Sequence, residues 1–329
     1  MEAGGLTRPE RRGGRRSLAA ALQAAVSLVA LAAVVWWATR QEAPSIPRTR
    51  EAAAWLVAAL ALYAVATLAR GERWHQIAKR AGIRLPRIEA QRLTAVGYMG
   101  NNVLPARSGD LLRAFLLAPV AGVRKREVLG TVVAERILDA LALGVVFVAA
   151  AFVLVREAEV PGGGGLILLG IGGALALAAA FAALVLARRR GALLRLRTAI
   201  RPLAAPTRAL VSGHGAGLLA LSLALWTLEA TVYLAVGRAV GIDLDLLDAL
   251  YLVALTNLFA LVPAAPGYVG TFDAAVLFAL GSLEASGQDA LAYLVLLRCV
   301  LFVPITLVGL GFLVTRYGGW SRLRLARLD

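Results

Sequence analysis

The chain has 329 residues, 60% of them hydrophobic, a mean hydropathy of +0.74 and a formal charge of +15. A soluble globular chain is nearer half apolar, so the excess belongs against lipid. The arginines flank the apolar blocks and form no aromatic-interleaved basic surface, which argues against nucleic acid as the reason for the charge.

The amino terminus, residues 1–16, is a basic tail carrying Arg8, Arg11, Arg12, Arg15 and Arg16. The apolar run behind it, Leu18 to Ala38, is longer than the ~7–15 residues of a cleavable signal core, so a retained first helix is expected. Six blocks are long enough to span the ~30 Å hydrocarbon core, at about 18–39, 51–69, 128–155, 166–187, 216–238 and 290–315. Two further stretches are interrupted. Residues 93–121 are broken by Pro105, Arg107, Gly109, Asp110 and Arg113, and residues 249–283 by Pro263, Pro266, Gly267 and Gly270. The pieces on either side reach only ~18–22 Å at 1.5 Å per residue, too short to cross.

Charge decides how these two stretches run. If both double back as re-entrant hairpins and the amino terminus is cytoplasmic, all but seven of the 35 Lys and Arg fall on the cytoplasmic side. Arg40, Arg48, Arg50, Arg156 and Arg238 lie outside, and Arg136 and Arg298 lie within the membrane. Reading 93–121 as one crossing would put the acid-free run from Arg188 to Arg208 outside, against the positive-inside rule. The expected fold is therefore an all-α polytopic membrane protein of about six spanning helices and two re-entrant helical hairpins. It divides into two repeats of inverted topology, 17–160 and 161–320, between the tail 1–16 and a cytoplasmic tail 321–329. Arg136 follows Gly109 by 27 residues and Arg298 follows Gly270 by 28, which fits the repeat. Broken helices meeting from opposite faces are a recurrent transporter design.

The arginines at 188–208 and the 70–92 segment (Arg70, Arg73, Lys79, Arg80, Arg84, Arg87, Arg92) are expected on the cytoplasmic headgroups. The single cysteine, Cys299, permits no disulfide framework, and His75 and His214 stand in separate loops without a ligand cluster. No metal and no cofactor is expected. Gly162 to Gly165 has no strand before it and no Lys after it, so it is an external loop and not a phosphate loop.

Three motifs occur in order: NNVLPARSGDLLRAFLL at 101–117, VVAERILDALALGVV at 132–146, and VPAAPGYVGTFDAA at 262–275. Together they resemble the lysylphosphatidylglycerol synthase transmembrane region, also called the flippase-like domain family. The resemblance rests on Asn102, Pro105, Arg107, Gly109, Asp110, Glu135, Arg136, Pro263, Pro266, Gly267 and Gly270, and covers about residues 17–320. Asp110 and Asp273 stand where the family commonly has Glu, which keeps the charge and shortens its reach. The family's best-known members carry a soluble aminoacyl-transferase domain after the membrane part, and none is visible here. The resemblance thus implies the lipid-translocating portion and not the aminoacylating enzyme.

The chemistry of the breaks points the same way. Backbone broken at membrane depth must line protein or a wet cavity. The second half of each hairpin would present free N–H groups and a positive dipole end, with Ser108 and Thr271 as natural caps. The candidate lipid- or anion-binding residues are Asn102, Arg107, Ser108, Gly109, Asp110, Arg113, Arg136, Gly267, Gly270, Thr271 and Arg298. The candidate charge partners or proton relay are Glu135, Asp139, Glu229 and Asp273. Glu135 and Asp139 share a helix face, and Arg136 and Asp139 are i,i+3 neighbours; such a pair could equally serve only to hold the fold. Arg298 has no acid within four residues in its own span, which leaves Glu229 as its leading partner or a phospholipid phosphate in its place.

The expectation is a flippase for an anionic phospholipid or lipid-linked headgroup in a bacterial or archaeal plasma membrane, both termini cytoplasmic. The alternatives are a membrane enzyme on a polyprenyl-phosphate or lipid, with Asp110 or Glu135 as acid/base, and a non-transporting scaffold for a partner synthase.

Overall fold

In a computed structural model of the chain, the described residues are 48–104, 108–157, 213–260, 266–285 and 287–319, with scattered positions between 29 and 41. The expected span 166–187 and most of 18–39 lie outside them, as do Pro105, Arg107, Pro263 and the arginines of 188–208. Every described element is helical.

Helix α1 (Arg50–Arg80) starts where Thr49 Oγ1 accepts from the Ala52 N–H at 3.0 Å, with Glu51 in its first turn and Lys79 and Arg80 in its last. It runs well past residue 69 because nothing breaks the helix before Gly82, whose φ is +77°. Helices α2 (Arg87–Val103) and α3 (Ser108–Ala121) follow, then α4 (Lys125–Glu157) and α5 (Gly213–Val240). Helix α6 (Leu246–Phe259) opens with Asp245 and Asp248 exchanging side-chain bonds to each other's backbone N–H. A single 3-10 turn (Pro266–Tyr268) leads to α7 (Thr271–Ser282), and α8 (Gly287–Tyr317) closes the described chain.

Both interrupted stretches are helical hairpins. In the first, α2 and α3 pack through glycine: a Cβ on Gly109 would lie 1.9 Å from the Gly97 carbonyl oxygen, and one on Gly100 would lie 2.7 Å from Gly109 Cα. In the second, Ser282 Oγ donates to the Tyr251 hydroxyl at 3.4 Å, which brings the end of α7 back beside the start of α6.

The two hairpins open toward opposite ends of the bundle. Helix α5 runs antiparallel to α1, since Arg70 meets Glu229 and Arg73 meets Ser222. Helix α8 runs antiparallel to α2, since Asn102 meets Thr306 and Glu89 meets Tyr317. Ile83, Leu85, Val123 and Tyr317 pack in one cluster, so the first hairpin begins and ends at the Tyr317 end of the molecule. The second hairpin follows the carboxyl end of α5 and precedes the amino end of α8, and so begins and ends at the other.

Among the described residues, three helices, Arg50–Arg80, Gly215–Val240 and Gly287–Tyr317, are long and apolar enough to cross a bilayer. Helix α4 shows the same environment by its faces. Val133, Ile137, Leu141, Val145 and Val148 form an exposed apolar stripe, while Glu135 and Asp139 turn inward with Leu138 and Ala142. Apolar residues outside and charges inside is the arrangement of a membrane protein.

Candidate functional site

Helix α4 carries the acids around which the charged interior is built. Glu135, fully buried, meets Arg113 at 2.9 Å and both Arg73 and Arg136 at 3.5 Å. Asp139 meets Arg73 at 2.7 Å and Arg136 at 3.1 Å. Asp110 meets Arg136 at 3.2 Å and Arg113 at 3.7 Å. Three guanidiniums and three carboxylates from α1, α3 and α4 therefore balance. Neutrality matters because each unpaired ion buried this deeply would cost several kcal/mol. Packing completes the cluster: Arg113 lies 3.9 Å over the Trp74 ring, Trp74 Nε1 donates to Thr131 Oγ1 at 3.0 Å, and Arg73 donates to Ser222 Oγ at 2.8 Å.

Two further pairs stand apart. Arg70 of α1 donates to Glu229 of α5 at 2.9 Å, with its guanidinium 5.3 Å from the Trp226 ring. Arg298 of α8 pairs with Asp273 and donates to the Gly267 carbonyl at 3.1 Å, between the rings of Phe272 and Phe302. Asp110 and Asp273 occupy the same place, the third residue of the second half of their hairpins, and each is gripped by an arginine of the next long helix.

Three sequence expectations are corrected here. Arg298 takes Asp273 and not Glu229, because α7 packs along α8 while the antiparallel run of α1 beside α5 gives Glu229 to Arg70. Arg70 and Arg73 are not on the headgroups. They are 4% and 1% exposed, because α1 continues through them and turns them inward, while Lys79, Arg80, Arg84 and Arg87 are exposed. Thr271 is not the cap of α7. Gly270 holds that position at φ +88°, its N–H donating to the Asp273 carboxylate at 2.8 Å, and Thr271 Oγ1 donates back to the Tyr268 carbonyl at 3.3 Å.

A cavity of about 110 Å³ lies between the hairpin tips. Of the residues singled out in the sequence, Asn102, Arg136, Asp139 and Glu229 line it. Arg113, Glu135, Asp273 and Arg298 stand behind its wall in the ion pairs just described, Ser108 begins α3, and Gly109 is buried in the hairpin contact. The tips themselves touch: a Cβ on Gly267 would lie 3.3 Å from the Asn102 carbonyl oxygen, and Gly267 takes a φ of +65° that other residues rarely adopt. The cavity also takes in Arg70, Tyr63, Tyr98, Trp226, Tyr233 and Asn257, none of which was named from the sequence as a site residue. Trp226, one helical turn before Glu229, was the available signal, since an indole beside an intramembrane acid shares its face.

No curated protein matches the chain. The family model for the lysylphosphatidylglycerol synthase transmembrane region matches residues 21–309, which takes in both hairpins, the charged cluster and the cavity. This polytopic helical chain belongs to the lysylphosphatidylglycerol synthase transmembrane-region family.

Proposed function

We propose that the chain moves an anionic phospholipid or lipid-linked headgroup between leaflets of a bacterial or archaeal plasma membrane. The observation that carries this reading is a cavity with Arg70, Arg136, Asp139 and Glu229 in its wall, between two hairpin tips that open toward opposite ends of the bundle. A pocket lined by Arg70, Arg136, Asp139 and Glu229 has no use against acyl chains, but it suits a charged headgroup passing through. Arg136, with 27% of its side chain exposed, is the guanidinium best able to take a phosphate. A phosphate arriving there competes with Asp110, and release of Asp110 frees the tip of the first hairpin. Arg298 and Asp273 supply the equivalent release for the second, so the two repeats open in turn.

An enzyme using Asp110 or Glu135 as acid/base finds less support, because both carboxylates are held by two or more guanidiniums. Full-length protein in liposomes with a headgroup-labelled anionic lipid tests the reading. Transfer between leaflets with the headgroup unchanged is expected, and Arg136→Ala and Arg298→Ala each slow it at least about tenfold, the effect of losing a charged hydrogen bond of 1.5–3 kcal/mol. A chemically altered headgroup would favour the enzyme, and neither outcome would favour a scaffold for a partner synthase.

A further inference from the structure

We infer that the protein carries a second anion site, for a phosphomonoester, in an open pocket of about 330 Å³ at the turn from α1 to α2. The pocket shares no lining residue with the cavity between the hairpin tips, so the inference stands apart from the transport reading. It lies at the end of the molecule where the first hairpin begins, since Ile83 and Leu85 of its wall pack in the same cluster as Tyr317.

The turn consumes its own acceptors and leaves donors over. Gly82, at φ +77°, ends α1, and the N–H groups of Ala81, Gly82 and Ile83 donate to the carbonyls of Ile77, Lys79 and Ala78 at 3.0–3.1 Å. His75, expected in a loop, lies on α1, and its Nδ1 donates to the Leu85 carbonyl at 2.6 Å. A carbonyl only accepts, so the proton is fixed on Nδ1. Nε2 is left for a ligand, as a donor once the ring is protonated. The side chains of Lys79 and Arg84, both exposed in the pocket wall, make no hydrogen bond or ion pair among the described residues. No acid lines the pocket, and Glu72, one turn before His75, is held by Arg87 at 3.0 Å.

Three separate nitrogen donors select the anion. A phosphomonoester is close to a dianion at neutral pH and has three terminal oxygens, one for each donor. A phosphodiester or a carboxylate has one charge and two such oxygens, and leaves one donor unanswered. Basic side chains that only set topology need neither a concave wall nor an imidazole fixed by a backbone carbonyl. A lipid with a monoester headgroup and a free phosphate present the same group to the pocket.

The test uses full-length protein in detergent, with phosphatidic acid and phosphatidylglycerol as probes and native mass spectrometry as the readout. Phosphatidic acid should bind at least about tenfold tighter, the effect of one more charge-assisted hydrogen bond. Lys79→Gln, Arg84→Gln and His75→Asn, whose amide keeps a donor for Leu85, should each weaken phosphatidic acid about tenfold and leave phosphatidylglycerol nearly unchanged. Arg80→Gln, which removes an exposed charge outside the pocket, should change neither. Excess inorganic phosphate separates the sources: displacement of phosphatidic acid identifies a site for free phosphate, and no displacement a site for the lipid. Equal binding of the two lipids overturns the inference. So does a loss in Arg80→Gln that matches the pocket variants, since that is general attraction to anions. A preference lost in Arg136→Ala but kept in Lys79→Gln and Arg84→Gln would belong to the central cavity, and overturns the assignment as well.

Discussion

Glu135 holds three guanidiniums from three helices, so its charge is the one whose loss is felt most widely. Glu135→Gln leaves Arg73 and Arg113, both about 1% exposed, short of a countercharge. The expected cost is about 3–5 kcal/mol, as for removing one partner of a buried ion pair, read as a lower unfolding temperature of the purified protein. Gly109→Ala acts by volume: the new methyl would sit 1.9 Å from the Gly97 oxygen, against backbone that cannot step aside. It should destabilise by about 1–3 kcal/mol, the usual cost of overpacking, whereas Gly122→Ala, in open space, should lose only what its φ of +65° demands. Equal losses in the two variants would mean that the α2–α3 contact is not tight.

Beside the apolar packing of the hairpins, single polar contacts join the elements. Asp273 and Arg298 are one such joint, and reversing them tests whether pairing is what matters. Asp273→Arg or Arg298→Asp alone should abolish lipid transfer, while the double exchange should recover part of it; no recovery would assign the two residues separate duties. At the far end, Tyr317 donates to Glu89 at 2.6 Å and ties the last turn of α8 to the first of α2. Tyr317→Phe should cost about 1–2 kcal/mol, a hydrogen bond to a charged acceptor partly exposed to solvent, and should raise hydrogen exchange in those two turns first.

For the molecule as a whole, the orientation of the hairpins yields the simplest measurement. Cys299 is the only cysteine, so a Cys299→Ser background carries no thiol. In it, Arg124→Cys, after the first hairpin, and Ser286→Cys, after the second, should react with an impermeant maleimide from opposite faces of oriented vesicles. Labelling from one face would mean that one stretch crosses straight through, and the opposed hairpins would have to be abandoned as a membrane topology. The two breaks were legible in the sequence because Pro105, Gly109, Pro266 and Gly270 interrupt apolar runs too short to cross. The family motif and the inward face of α4 were legible for a similar reason, since spacing along one helix fixes which residues share a side.

Local spacing and charge thus determined by themselves that the chain is helical, that two stretches are broken, and that Glu135, Arg136 and Asp139 sit together. They could not choose partners across helices. Arg298 went to Asp273 and Glu229 to Arg70 because packing, and not proximity in the chain, sets which side chains face one another. Arg70 and Arg73 look like headgroup arginines by composition, and only their burial against α4 and α5 makes them core residues. The cavity belongs to the same category: its wall draws on Tyr63, Asn102, Trp226 and Asn257 from four helices, and no window of sequence contains more than one of them.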